Sequence, residues 1–218
     1  QLGTGHAVMQ AHDGLAGFAG DVLILYGDVP LVGSDTMRAM IERLNRGDEP
    51  RSVVLAFRPT DPAAYGRIIA DQQGVIEKMV EYKDASAEER AINLCNSGLM
   101  AVRSTDLFVL LDSIHNNNAA GEYYLPDIVM LPGATSAVIE TTAGEVAGVN
   151  SRVELAAVEA AWQAARRDEA MRNGATLIAP ESVFFAHDTV LGRDVVLEPN
   201  VVFGPGVTVE DDVIIHAF

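Results

Sequence analysis

The run Val22-Leu23-Ile24-Leu25-Tyr26-Gly27-Asp28-Val29-Pro30-Leu31 places one carboxylate at the end of a short apolar strand. A strand ending there delivers Asp28 to the carboxyl edge of an open α/β sheet, where such sheets hold ligands. Gly27 lets another group approach the backbone, and Pro30 stops the strand from continuing as a paired ladder. The chemistry open to Asp28 is contact with a divalent metal or a substrate; Gly, Asp and Pro also make ordinary turns. Two more polar residues stand at the edge or inside of apolar stretches. Glu81 sits at a strand end, where a carboxylate accepts hydrogen bonds from hydroxyl groups or is solvated. Asn96 lies within the apolar run Ile92 to Val102, and a buried amide needs partners. The five histidines have no metal-ligand spacing, and no Ser/His/Asp set is recoverable. Cys95, the single cysteine, reads as a buried inert thiol.

The elements that must position these residues change character along the chain. Residues 1–149 alternate short apolar runs with amphipathic segments, the pattern of an α/β sheet domain. Helices are expected over Gly5–Ala11, from a Ser34-Asp35 cap to about Asn45, from a Ser104 cap to about His115, and over Tyr123–Leu131. Strands are expected at 22–26, Ser52–Phe57 and Leu94–Val102, with a hairpin formed by Ile68–Ala70 and Val75–Glu81. Residues 150–174 read as a connector helix opened by Asn150-Ser151 and stopped by Asn173-Gly174. Its acidic start and basic end suit the helix dipole.

From 175 to 218 the period becomes six. Val183, Thr189, Val195, Val201, Val207 and Val213 share one phase, and Leu191, Leu197, Phe203, Val209 and Ile215 follow two places later. Two inward positions in each short repeat predict a β-helix whose flat faces are about six residues long. The repeat runs to the last residue with no polar capping coil, so the sequence is expected to be part of something longer.

Composition narrows the partners. With 49% hydrophobic and 21% charged residues the chain is that of a soluble globular protein. No stretch approaches a membrane span or a signal peptide, and one cysteine fits a reducing, cytoplasmic setting. A formal charge of −16 argues against nucleic acid. It leaves room for a small phosphorylated substrate held through Mg²⁺, because the metal inverts the local sign of charge.

Seven segments, in order, carry a resemblance: Gln1-Leu2-Gly3-Thr4-Gly5-His6-Ala7, Tyr26 to Leu31, Tyr65-Gly66-Arg67-Ile68, Val80-Glu81-Tyr82-Lys83-Asp84-Ala85, Asn96-Ser97-Gly98, Asn116 to Tyr124, and Gly148-Val149-Asn150-Ser151-Arg152. With the hexapeptide tail they resemble the bacterial bifunctional N-acetylglucosamine-1-phosphate uridylyltransferase / glucosamine-1-phosphate acetyltransferase. The resemblance implies a Rossmann-like nucleotide-diphospho-sugar transferase domain, then a left-handed parallel β-helix that assembles a homotrimer. It implies that UTP and N-acetylglucosamine 1-phosphate give UDP-N-acetylglucosamine and pyrophosphate, and that glucosamine 1-phosphate is acetylated from acetyl-CoA. By the same resemblance Asp28 and Asn150 match magnesium ligands, and Gly3, Thr4, Tyr26 and Gly27 match the nucleotide site. Gly66, Glu81 and Asn96 match the sugar site. Asn150 is also a good helix N-cap residue, and one amide oxygen has lone pairs for both roles. Lys83 reads as a surface charge.

The same family begins with a glycine-rich loop bearing an arginine, followed by a lysine, and nothing like it precedes Gln1. Its acetyltransferase site lies in later coils. The chain as given is therefore expected to have little activity of either kind. Two other readings stay open: a monofunctional sugar-phosphate nucleotidyltransferase with a β-helical tail, and a non-catalytic trimerisation module.

Overall fold

A computed structural model describes residues 2–118, 120–133 and 135–217. Gln1, Ala119 and Phe218, members of the first and sixth segments and the end of the repeat, lie outside the described residues, as does Ala134. The chain divides into two compact units, Gln1–Gly148 and Val149–Phe218. The long helix expected as a connector therefore belongs to the second unit.

The first unit is a mixed sheet between two helical layers. Strand β2 (Ser52–Phe57) is buried along its whole length. It pairs antiparallel with β5 (Cys95–Arg103) on one side and parallel with β6 (Ser136–Thr141) on the other. Beyond β5 lie β1 (Asp21–Ile24), against its far end, and the hairpin of β3 (Arg67–Ala70) with β4 (Ile76–Val80), against its start. Side chains alternate across the sheet, as the two-residue period requires. Val54, Ala56, Met100 and Val102 face Leu107, Leu110 and Leu111 of α4 (Ser104–Leu111) and the 3-10 segment Leu125–Met130. Val53, Leu55, Leu99 and Ala101 face Met40 and Leu44 of α2 (Ser34–Leu44).

Several expected boundaries move. The first helix is α1 (Thr4–Met9), and the segment over 123–131 is 3-10 rather than α. The N-cap positions belong to Gly33 and Arg103, one residue before the serines expected there, and neither supplies a side-chain cap. The Ser104 hydroxyl instead donates to Phe18 O at 2.9 Å and accepts from Gly20 N–H at 3.1 Å, tying helix and loop together. Strand β1 ends at Ile24, so Leu25 and Tyr26 continue beyond the ladder.

In the second unit α5 (Arg152–Arg172) is capped by Ser151, whose hydroxyl accepts from Glu154 N–H at 3.2 Å. The Glu154 carboxylate accepts from Asn150 N–H at 2.7 Å. Asn150 thus precedes the cap and does not fill it. Gln163, buried on α5, grips the backbone of Phe185 from both sides, donating to its carbonyl at 2.8 Å and accepting from its N–H at 2.9 Å. Beyond the helix the parallel pairs Val190 with Thr208, Val196 with Ile214 and Phe184 with Val202 repeat at 18 residues, three hexapeptides to a coil. The first rung, Thr176 with Val196, spans two residues more. Val183, Val195 and Leu197 are fully buried, and the rings of Phe185 and Phe203 stack inside the coil at 5.3 Å. Asp194, Asn200, Gly206 and Asp212, six apart, take left-handed backbone at the corners. Asn, Asp and Gly visit that region at least cost.

Candidate functional site

A cleft of about 540 Å³ opens over the start of β5 in the first unit, and five of the expected site residues line it: Thr4, Tyr26, Gly66, Glu81 and Asn96. They come from five separate segments: pairing among β3, β4 and β5 brings Gly66, Glu81 and Asn96 together, and Thr4 and Tyr26 join them from outside the ladder. Gly66 and Asn96 sit face to face, with Asn96 N–H donating to Gly66 O at 2.9 Å. The Asn96 side-chain oxygen accepts from Gly98 N–H at 2.9 Å. Its NH₂ group has no protein partner among the described residues and is left to donate into the cleft. Glu81 is half-buried and receives no hydrogen bond among the described residues. Burial first, then the charges of Asp127 and Asp84, hold its carboxyl above the usual carboxylate range. A half-buried carboxylate without donors is poised to accept them from a ligand.

Tyr26 owes its place to a glycine. At Gly98 the backbone is left-handed, with φ of 85°, and a Cβ there would lie 2.4 Å from the Tyr26 ring. The ring therefore packs close against β5 at Gly98, half-buried. Burial raises its phenol pKa most, the Thr4 hydrogen bond acts against this, and the charges of Glu81 and Asp28 add to the rise. The Thr4 hydroxyl also accepts from Leu125 N–H at 3.1 Å. Leu2 O accepts from Tyr123 N–H, and Gly5 N–H donates to Tyr123 O, both at 2.8 Å. The segment before α1 is thus laid along the chain at 123–125. Gly3 permits that approach, since a Cβ on it would meet Tyr123 O at 2.6 Å. Gly3 lines a second cleft of about 350 Å³ that shares Thr4 and Glu122 with the first.

Gly27 and Asp28 line neither of these two clefts. They are the exposed centre of a turn closed by Val29 N–H donating to Tyr26 O at 3.2 Å. Asp28 is a turn carboxylate and is also free: it accepts no hydrogen bond among the described residues. Asn150 is exposed in the second unit. Among the described residues no group of three or more His, Cys, Asp or Glu gathers to hold a metal. The unengaged Asp28 carboxylate is a hard oxygen donor of the kind that Mg²⁺ takes, since that ion uses few protein ligands and completes its shell with water and substrate phosphate.

The walls of the cleft are held by a residue that the sequence reading did not single out. Arg67 is 2% exposed and has no carboxylate partner among the described residues. Its guanidinium donates to the carbonyls of Ala63 and Arg90 at 3.2 and 3.3 Å, to Pro62 O at 3.3 Å, and to Tyr65 O. The guanidinium groups of Arg67 and Arg90 both lie over the Tyr82 ring, at 5.4 and 4.6 Å from its centre. A buried cation is tolerated only where its donors are all met, so this clamp ties both rims of the cleft. Tyr65, Tyr82, Ser97 and Tyr124 are also among the lining residues, as is Lys83, which is exposed. The sequence signal for Gly98 and Tyr124 was their place in segments already noted.

Comparison with known proteins agrees with this geometry. The sequence is 57% identical to "Bifunctional protein GlmU" of Zymomonas mobilis over all of this chain and 49% of that protein. It is 60% identical to the protein of that name in Sphingopyxis alaskensis, again over all of this chain and 49% of the other. With that of Novosphingobium aromaticivorans it shares 65% over 94% of this chain and 46% of the other. The chain belongs to this family. It spans about half the length of the curated relatives it matches. Residues 188–218 match the model "Bacterial transferase hexapeptide (six repeats)", the segment that forms the coil. A solved structure, CMP:2-keto-3-deoxy-manno-octonic acid synthetase complexed with CTP, superposes with a TM-score of 0.55 at 17% identity, covering 75% of this chain and 69% of that one. The likeness establishes a Rossmann-like α/β fold.

Proposed function

We propose that the first unit is the sugar-nucleotide half of a uridylyltransferase that joins UTP and N-acetylglucosamine 1-phosphate into UDP-N-acetylglucosamine and pyrophosphate. The observation that carries this is the pairing, in one cleft, of an unengaged carboxylate on Glu81 with the unengaged amide NH₂ of Asn96. A sugar bearing both hydroxyl donors and carbonyl or hydroxyl acceptors meets both needs. Gly66 lies behind Glu81: a Cβ there would approach its carboxylate to 3.3 Å. Thr4, Tyr26 and the backbone at Gly3 and Gly27 provide the nucleotide side.

In this reading a phosphate oxygen of the sugar phosphate attacks the α-phosphorus of UTP. The bond to the bridging oxygen breaks, and pyrophosphate leaves with the electron pair. The attacking oxygen is already ionised at neutral pH, so no general base is needed, and catalysis is alignment and charge neutralisation. Mg²⁺ held through Asp28 would supply part of that neutralisation. The second unit would serve assembly as a homotrimer, which its outward apolar residues Ile178, Val190, Val202 and Ile214 support. In a longer protein of this family further coils would use acetyl-CoA to acetylate glucosamine 1-phosphate. No described helix is long and apolar enough to cross a membrane, and a cytoplasmic setting fits the single free thiol.

Calorimetry of the 218-residue chain with UDP-N-acetylglucosamine and Mg²⁺ tests the reading. Saturable binding that Asn96→Ala weakens about tenfold is the expected result; no binding overturns it in favour of an assembly module. In a full-length relative carrying the same motif, Asp28→Ala should abolish Mg²⁺-dependent turnover, and retained turnover would remove Asp28 from the metal site.

A further inference from the structure

A second carboxylate adjoins the cleft. Asp127, on the 3-10 segment Leu125–Met130, and Glu81, at the end of β4, both line a chamber of about 30 Å³ that also touches Asn96, Arg67, Met79 and Met130. The chamber shares Glu81 and Asn96 with the main cleft. A space of that size holds about one water, provided that two or more polar groups line it. Asp127, like Glu81, receives no hydrogen bond among the described residues. Arg67 does not neutralise the pair, because its guanidinium is committed to backbone carbonyls.

We propose that Asp127 is a positioning residue for Glu81, coupled to it through one water in this chamber, and that the pair makes carbohydrate binding depend on pH. The carbohydrate part rests on the reading of the cleft given above; the coupling does not. Burial raises the Asp127 carboxyl, and the Asp127 charge then stands against ionisation of Glu81. The other groups facing Glu81 are Asp84 and Lys83 on its own loop, Tyr124 and Glu122 beside the 3-10 segment, and Tyr26 after β1. The tyrosines stay neutral in the range where carboxylates titrate. Asp84 is exposed and solvated, and Asp127 is the partner that shares the chamber. Ionised Glu81 accepts hydroxyl donors through both oxygens, whereas a protonated one loses acceptor capacity. Affinity therefore falls as pH drops through the raised Glu81 value, and removing the Asp127 charge moves that fall to lower pH.

The test uses the intact chain. Carboxyl ¹³C NMR follows the titration of Glu81 in the parent protein and in Asp127→Asn and Asp84→Asn. Asp127→Asn is expected to move the Glu81 midpoint to lower pH, further than Asp84→Asn does; an unmoved midpoint overturns the coupling. Calorimetry with UDP-N-acetylglucosamine at about pH 5 and about pH 7.5 reads the consequence. At the lower pH Asp127→Asn should bind about threefold or more tighter than the parent, and at the higher pH the two should bind alike. Equal weakening at both pH values means a merely structural role and overturns the proposal. If the parent binds nothing at either pH, the carbohydrate reading fails, and the NMR arm still decides the coupling. Should Asp127→Asn not fold, Asp127→Ser removes the same charge and is expected to move the Glu81 midpoint to lower pH likewise.

Discussion

The cleft and the coil treat carboxylates in opposite ways. Glu81 in the cleft and Asp127 in the chamber beside it are half-buried, receive no protein donor among the described residues, and are raised by burial. Along the coil Asp188 accepts from Gly206 N–H at 2.8 Å, and Glu198 accepts from Ala217 N–H at 2.9 Å with His216 beside it. Both are lowered, first by those backbone hydrogen bonds. Asp211 Oδ1 accepts from Arg193 N–H at 2.8 Å in the same manner. The coil carboxylates tie one turn to the next. Those in the cleft hold their acceptor capacity open at some cost to the fold. Unsatisfied, partly desolvated charge in a concave place is the physical mark of a binding site, and it separates the two units more sharply than composition does.

The largest effect expected from breaking this contrast is on ligand affinity. Glu81→Gln keeps the shape of the cleft but replaces a charged acceptor by an amide, and should weaken UDP-N-acetylglucosamine binding by about 10–100-fold. Its thermal stability should stay level or rise, because an unfavourable charge has been removed. A variant that loses stability along with affinity would mean that Glu81 supports the fold, as the coil carboxylates do.

Second in size is a change confined to the coil. Gln163→Leu removes both hydrogen bonds to Phe185 and leaves its backbone groups buried without partners. The second unit should lose about 2 kcal/mol or more, seen as faster hydrogen exchange at the Phe185 amide with ligand affinity unchanged. An unprotected Phe185 amide in the parent protein would refute the role given to Gln163.

How much of this was legible beforehand also differs between the units. The coil repeats one environment every six residues, so Val183, Thr189 and Val195 announce their burial by phase alone. Even there the corners were missed: Asp194, Asn200 and Asp212 recur at the same period as Gly206, but polar residues between apolar ones look like ordinary surface. The cleft has no period. The reason for Gly98 is the ring of Tyr26, and Thr4 meets Leu125 across most of the first unit. Such contacts are set by strand order, which local pattern does not encode. The site residues Glu81 and Asn96 were reached through the ordered segments, and the Arg67 clamp was not reached at all. A lone arginine beside an apolar run gives no sign that backbone carbonyls, rather than water, will receive it. The displaced caps have a similar cause: Ser34 and Ser104 stand one position inside their helices, a shift that propensity does not resolve.

A smaller effect tests the corners. Asn200 holds left-handed backbone, with φ of 63°. Asn200→Ala should cost the second unit about 1 kcal/mol, and Asn200→Gly should leave it near neutral. Equal losses from the two would show that the Asn side chain, and not the backbone conformation, is what the corner requires.

The smallest effect is a response to pH that should carry opposite signs in the two units. Asp188 and Glu198 are lowered in the folded chain, so their contribution is present above the ordinary carboxylate values and is lost as pH falls through their depressed folded values. Glu81 and Asp127 are raised, so each of these two carboxylates binds its proton more readily in the folded chain than in the unfolded one. Acidification from neutral through their raised values toward the ordinary range therefore adds stability to the first unit. Hydrogen exchange resolved by residue distinguishes the two. Amides of β2 and β5 should gain protection relative to those of the coil as pH is lowered from about 7 to about 5, after correction for the intrinsic exchange rate. Below about pH 4 the coil should lose protection as its carboxylates protonate. Parallel behaviour of both units across this range would mean that the cleft carboxylates are satisfied in solution, and the contrast between an open site and a tied coil would fall with it.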